Sequence, residues 1–141
     1  MTPGDPAPRP WWRFPVALLA GAFGMATMAS GGRVLFGSDT ARAAAGQVVP
    51  FVLWFNFLAG FAYLVAAAGM AGARRWAALL SLVIAAGTAL VFVALGVHVL
   101  AGGGFEPRTV AAMTLRLGAW TAIAALLRRR PDLDGPGAPQ A

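Results

Sequence analysis

The chain has 141 residues, 59% of them hydrophobic and only 11% charged, whereas a soluble domain is roughly a quarter charged. A soluble fold of this length could not hide so many long apolar runs in one core, so a bilayer must cover them. The formal charge of +6 comes from eleven arginines with no lysine. These sit between and beyond the apolar runs rather than on a soluble surface, which excludes a nucleic-acid partner, and the absence of cysteine excludes disulfides and thiolate-held iron–sulfur clusters.

Residues 1–13, MTPGDPAPRPWWR, are proline-rich without apolar periodicity and read as a disordered cytoplasmic tail, with Trp11 and Trp12 marking the interface. The first apolar run opens at Phe14 and predicts a helix over about 14–33, closing on Gly31, Gly32 and Arg33. Its end, Ala-Thr-Met-Ala-Ser, could also serve as a signal-peptide cleavage region. The three further apolar runs favour an uncleaved first helix.

Residues 34–47, VLFGSDTARAAAGQ, are too polar to span. Ser38 ahead of an alanine-rich stretch suits a short capped helix lying along the outer surface. The second span covers 48–70, with Pro50 in its first turn, where its missing N–H costs little. The link AGARR is short enough to make the third span, 76–100, an antiparallel neighbour of the second. After AGGGFEPR the fourth span covers about 108–127, and 128–141 forms a basic and then flexible cytoplasmic tail. The fold class is therefore an all-α integral membrane protein, a four-transmembrane-helix bundle.

Orientation follows from arginine placement. Arg9, Arg13, Arg74, Arg75, Arg128, Arg129 and Arg130 fall on one side, against Arg33, Arg42 and Arg108 on the other. This predicts both termini in the cytoplasm. Small residues concentrate in the first span (Ala20, Gly21, Gly24, Ala26, Ala29, Ser30) and in the second (Ala59, Gly60, Ala66, Ala67). They mark packing seams within one bundle, or alternatively the seam of a homo-oligomer.

The remaining arginine, Arg116, lies within the fourth span. At a rise of about 1.5 Å per residue, Asn56 and Arg116 lie roughly 12 Å and 10 Å from the outer ends of their helices, hence at similar depth. His98 near the outer end of the third span and Glu106 in the following loop place further polar groups in that half. An intramembrane arginine is costly, about 2.5–3.5 kcal/mol at mid-membrane. Arg116 is either structural, bonded to helix carbonyls, Asn56 or an outer carboxylate, or it binds an acceptor such as a quinone oxygen, a lipid phosphate or a small acid. Met113 and Trp120, three residues before it and four after, share its face. Trp120 could stack on a ring or on the guanidinium. Tyr63, on the second span, is a further ligand-binding candidate, although core packing also accounts for both aromatics.

Met25, Met28, Met113 and the single histidine, His98, form a thioether–imidazole set that suits Cu(I) as an alternative. One histidine excludes bis-histidine haem ligation within the chain. No Asp or Glu lies inside a span, which disfavours proton- or sodium-coupled transport. Walker, HExxH and serine-hydrolase motifs are missing as well. The chain reads as a non-catalytic accessory or binding protein. Its partners are membrane lipids and other membrane-protein subunits, and a purely structural subunit of a larger complex is the remaining alternative.

The stretch NFLAGFAYLVAAAGMAGARRWAAL, with glycines ahead of a short arginine-containing turn, resembles the DoxX-like family of small four-helix bacterial membrane proteins. The likeness covers about the middle half of the chain, and Asn56 stands where many members carry an acidic residue. The resemblance implies a bacterial cytoplasmic (inner) membrane location and an association with quinone-linked or other membrane redox assemblies.

Overall fold

A computed structural model describes residues 11–129. The tails over 1–10 and 130–141, with Arg9 and Arg130 of the arginine count, lie outside the described residues. Five helices follow in chain order: α1 (Arg13–Phe36), α2 (Asp39–Ala45), α3 (Pro50–Ala71), α4 (Trp76–Leu100) and α5 (Pro107–Arg129). Among the described residues there is no strand. Four of the helices, of 24, 22, 25 and 23 residues, are long and apolar enough to cross a membrane. At about 1.5 Å per residue each exceeds the roughly 30 Å hydrocarbon core.

Local chemistry sets the ends of the elements. α1 runs on to Phe36, past the Gly31-Gly32-Arg33 stop expected from the sequence. Gly31 is held against Phe57, where an added Cβ would stand 3.2 Å from the Phe57 Cβ. The carbonyls left open at the helix end accept from Arg42, whose Nε donates to Val34 O at 3.3 Å and Nη2 to Leu35 O at 3.5 Å. Ser38 caps α2, its Oγ accepting from Ala41 N at 3.4 Å. The α3–α4 turn closes with Arg74 N donating to Gly69 O at 2.8 Å, and Ala73 takes a left-handed conformation (φ 54°) there. α5 keeps Arg128 and Arg129 in its last turn rather than in a tail, where the negative end of the helix dipole favours them. At the other terminus, Arg13 is the first residue of α1, buried with its guanidinium 5.6 Å from the Trp12 ring centre, instead of part of a tail.

α1 packs most tightly on α3, α4 on α5, and α3 joins the two pairs. Gly21 faces Ala67, Gly24 faces Gly60, and Gly31 faces Phe57. The α1 numbers rise as the α3 numbers fall, so these helices are antiparallel. Glycine at these crossings lets the backbones approach, the main source of helix association in lipid.

The core divides into two clusters. One holds Tyr63, Ala66, Met70, Ala77, Ile84, Trp120 and Leu127, joined by Ala17 of α1. It brings the start of α1 and the end of α5 to the same end of the bundle. The other holds Val49, Val52, Leu95 and Met113 near the end that carries α2. Large apolar side chains point outward, Leu90 at 72% and Leu19 at 71% exposure, as lipid-facing surfaces require.

Candidate functional site

A cavity of about 290 Å³ opens toward the α2 end between α1, α3 and α5. α1 supplies Thr27, Ser30 and Gly31, α3 supplies Val52 and Asn56, and α5 supplies Ala112 and Arg116. Its rim carries Ala45, Glu106 and Arg108. The cavity exists because α1 and α5 are not in close backbone contact, whereas glycines pull α1 onto α3.

Glu106 ties the two connecting segments over this cavity. Its Oε1 accepts from Gln47 N at 3.4 Å, and its Oε2 lies 3.6 Å from Arg108 Nε. Arg108 in turn donates from Nη2 to Ala44 O at 3.3 Å. Gly46, with φ at 76°, lies directly under the Glu106 carboxylate, so any side chain at 46 would displace it. The α2–α3 segment and the α4–α5 loop thus meet through one carboxylate.

Arg116 and Asn56 share the cavity wall. Arg116 is only 9% exposed, and its Nε is buried with no hydrogen-bond partner. Among the described residues neither a carbonyl nor a carboxylate takes a hydrogen bond from its guanidinium, and Glu106 is committed to Gln47 and Arg108. The guanidinium lies against an aromatic face, the Phe23 ring centre 5.8 Å from Cζ. That contact favours the cation but satisfies none of its five N–H donors. Asn56 Oδ1 is likewise buried and unpartnered. Arg116 and Asn56, each with one buried polar atom that lacks a protein partner, therefore wall the same cavity, and each such atom costs free energy until it is paired.

Beneath Arg116 lies an aromatic floor. Tyr63 and Trp120 pack at 4.7 Å between ring centres, and Phe23 stacks on Tyr63 at 5.8 Å and 9°. Tyr63 and Trp120 are 0% and 1% exposed, so they support the site from the core and do not line the cavity. The hydroxyls of α4 are self-satisfied: Ser81 and Thr88 donate to Ala77 O and Ile84 O, each at 2.8 Å.

The other candidates fall elsewhere. His98 does not line the cavity; its Nε2 lies 3.3 Å from Gly104 O and its ring meets Phe51 edge-on at 6.2 Å, so it braces the α4–α5 loop. Met25 is 58% exposed, Met28 packs over Gly60, and Met113 is 0% exposed within the Val49, Val52 and Leu95 cluster. These thioethers and His98 thus sit in different surroundings. No group of three or more His, Cys, Asp or Glu side chains is placed to hold a metal among the described residues.

Phe23, Thr27 and Ser30 were not singled out as site residues by sequence reasoning. Thr27 and Ser30, three residues apart in an apolar run, are the signal that could have found the α1 wall. Phe23 carried none, since nothing local distinguishes an aromatic that meets an arginine from one that meets lipid. No protein-family profile matches the chain, and neither do any curated proteins or solved structures.

Proposed function

We propose that this protein is a small, non-catalytic binding or accessory protein of the bacterial cytoplasmic membrane, DoxX-like in type, that holds an acceptor-bearing group in the cavity beside Arg116. The observation that carries the reading is Arg116, 9% exposed and with its Nε unpartnered, in the wall of a cavity also lined by Asn56, whose Oδ1 is unpartnered. A purely structural arginine would spend its donors on protein acceptors, because an unpaired buried charge is among the costliest features a fold can carry. A quinone carbonyl, a lipid phosphate or an acidic group of a partner subunit would each receive them.

The cavity opens outward in this reading, with both termini cytoplasmic. Arg13, Arg74, Arg75, Arg128 and Arg129 belong to the end away from α2, against Arg33, Arg42 and Arg108 at the α2 end, and the arginine-rich end stays inside.

The test is a mass-spectrometric inventory of lipids, quinones, metals and proteins retained by the full chain after mild detergent extraction, compared with the Arg116→Leu variant. A retained component that disappears in the variant, while the variant still inserts and runs as a folded species, supports the reading. Identical inventories overturn it.

A further inference from the structure

Resting on that reading of the Arg116 cavity, we propose that its occupant is an anionic glycerophospholipid, with its phosphate at Arg116 and a chain lying in the groove between α1 and α5. The polar cavity is only the upper part of one seam. Directly below it a second cavity of about 370 Å³ runs between the same two helices, lined by Val16, Ala20 and Phe23 of α1 and by Leu115, Ala119 and Ile123 of α5. Phe23 walls this lower groove, and its ring centre lies 5.8 Å from the guanidinium that walls the upper cavity. The Arg116–Phe23 contact therefore forms the border between the two adjacent spaces, which at about 290 and 370 Å³ stand at the small end of ligand sites, roughly 300–1,000 Å³.

The chemistry along the seam is graded. At the α2 end it presents Arg116 and Arg108 against the single carboxylate of Glu106, a net positive charge that selects an anion. Below Arg116 the lining, which includes the indole of Trp120, is almost wholly apolar, which selects a hydrocarbon chain. α5 starts at the α2 end, and the Arg116 guanidinium lies over the Phe23 ring, between the polar cavity and the apolar groove, where a phosphate and the start of a chain would meet. Asn56 Oδ1 adds a further requirement. It is an acceptor in want of a donor, and an oxyanion that also bears a hydroxyl, such as phosphatidylglycerol, satisfies Asn56 and Arg116 together. A quinone supplies no donor and no charge.

Access needs no channel. α1 and α5 are not in close backbone contact, and the lower groove lies between them. A lipid can enter sideways, with its chain leading into the groove and its headgroup following under Glu106.

Native mass spectrometry of the full chain in mild detergent tests this by titration with phosphatidylglycerol, phosphatidylcholine of the same chains, glycerol 3-phosphate and a long-chain quinone. Phosphatidylglycerol is expected to bind at least about tenfold more tightly than phosphatidylcholine. Arg116→Gln should erase that difference, and Ala119→Phe, which fills the groove, should weaken phosphatidylglycerol about tenfold while sparing any binding of glycerol 3-phosphate. Equal affinity for the two lipids, or no effect of Ala119→Phe, overturns the lipid assignment. If quinone or glycerol 3-phosphate binding responds to Arg116→Gln without a preference for phosphatidylglycerol, the lipid assignment falls and the binding cavity stands. If no ligand responds to Arg116→Gln, both fall. Should Arg116→Gln not fold, the wild-type lipid ratio and Ala119→Phe decide the matter.

Discussion

Gly24 of α1 and Gly60 of α3 meet backbone to backbone: a Cβ on Gly24 would stand 3.0 Å from the Gly60 carbonyl oxygen, and one on Gly60 3.1 Å from that of Gly24. This contact draws α1 onto α3 and leaves the space between α1 and α5 unfilled. Gly24→Val should therefore separate the pair and lower stability by about 1–3 kcal/mol, as overpacking does. Gly118→Ala is the control, since nothing lies within 4 Å of a Cβ there, and it should be neutral or slightly stabilising. Thermal unfolding in detergent distinguishes them, and equal melting temperatures would contradict the role assigned to the Gly24–Gly60 crossing.

Arg116→Leu should raise the stability of the unliganded protein by about 1 kcal/mol, part of the roughly 2.5–3.5 kcal/mol that an intramembrane arginine costs, and abolish ligand retention at the same time. Opposite signs for stability and binding are the mark of a residue kept for function. A variant that unfolds more readily would instead assign Arg116 a structural role. Denaturation with and without added lipid measures both effects.

Glu106→Ala removes the acceptor for Gln47 N and the partner of Arg108. Arg108 is 72% exposed on its side chain, so the loss to global stability should stay below about 1 kcal/mol. The local effect should be larger. Amide hydrogen exchange at residues 46–48 is expected to accelerate several-fold while the spans keep their protection, and unchanged exchange there would show that the carboxylate does not tie the segments together.

Because Met25 is exposed and Met113 is enclosed in the core, purified protein loaded with Cu(I) should retain no stoichiometric copper that depends on both. Elemental analysis of Met25→Leu, Met113→Leu and His98→Ala beside the unaltered chain checks this, and a matched loss of copper across all three would restore a metal site. His98→Ala should act on the α4–α5 loop instead, by removing the contact of Nε2 with Gly104 O.

The spans were legible because a bilayer imposes a length and a composition that any run of about 20 apolar residues declares by itself. Ser38, Pro50 and Pro107 announced helix starts through backbone chemistry that is local in sequence. The end of α1 was not legible, because its carbonyls are satisfied by Arg42 from the next helix. His98 shares the outer half of the bundle with Asn56 and Arg116 when position along each helix is all that is counted. Depth says how far a residue sits along a helix and nothing about which neighbour it faces, and His98 turns to its own loop.

By itself, then, the sequence determined four membrane-length helices and put an arginine and an asparagine at similar depth, since hydropathy and helical rise are properties of one segment at a time. Only the tertiary structure decided that Arg116 and Asn56 line one cavity while Tyr63 and Trp120 support it from the core. That outcome depends on glycines closing α1 onto α3 and on no such contact between α1 and α5, a difference between pairs of helices that no single helix encodes.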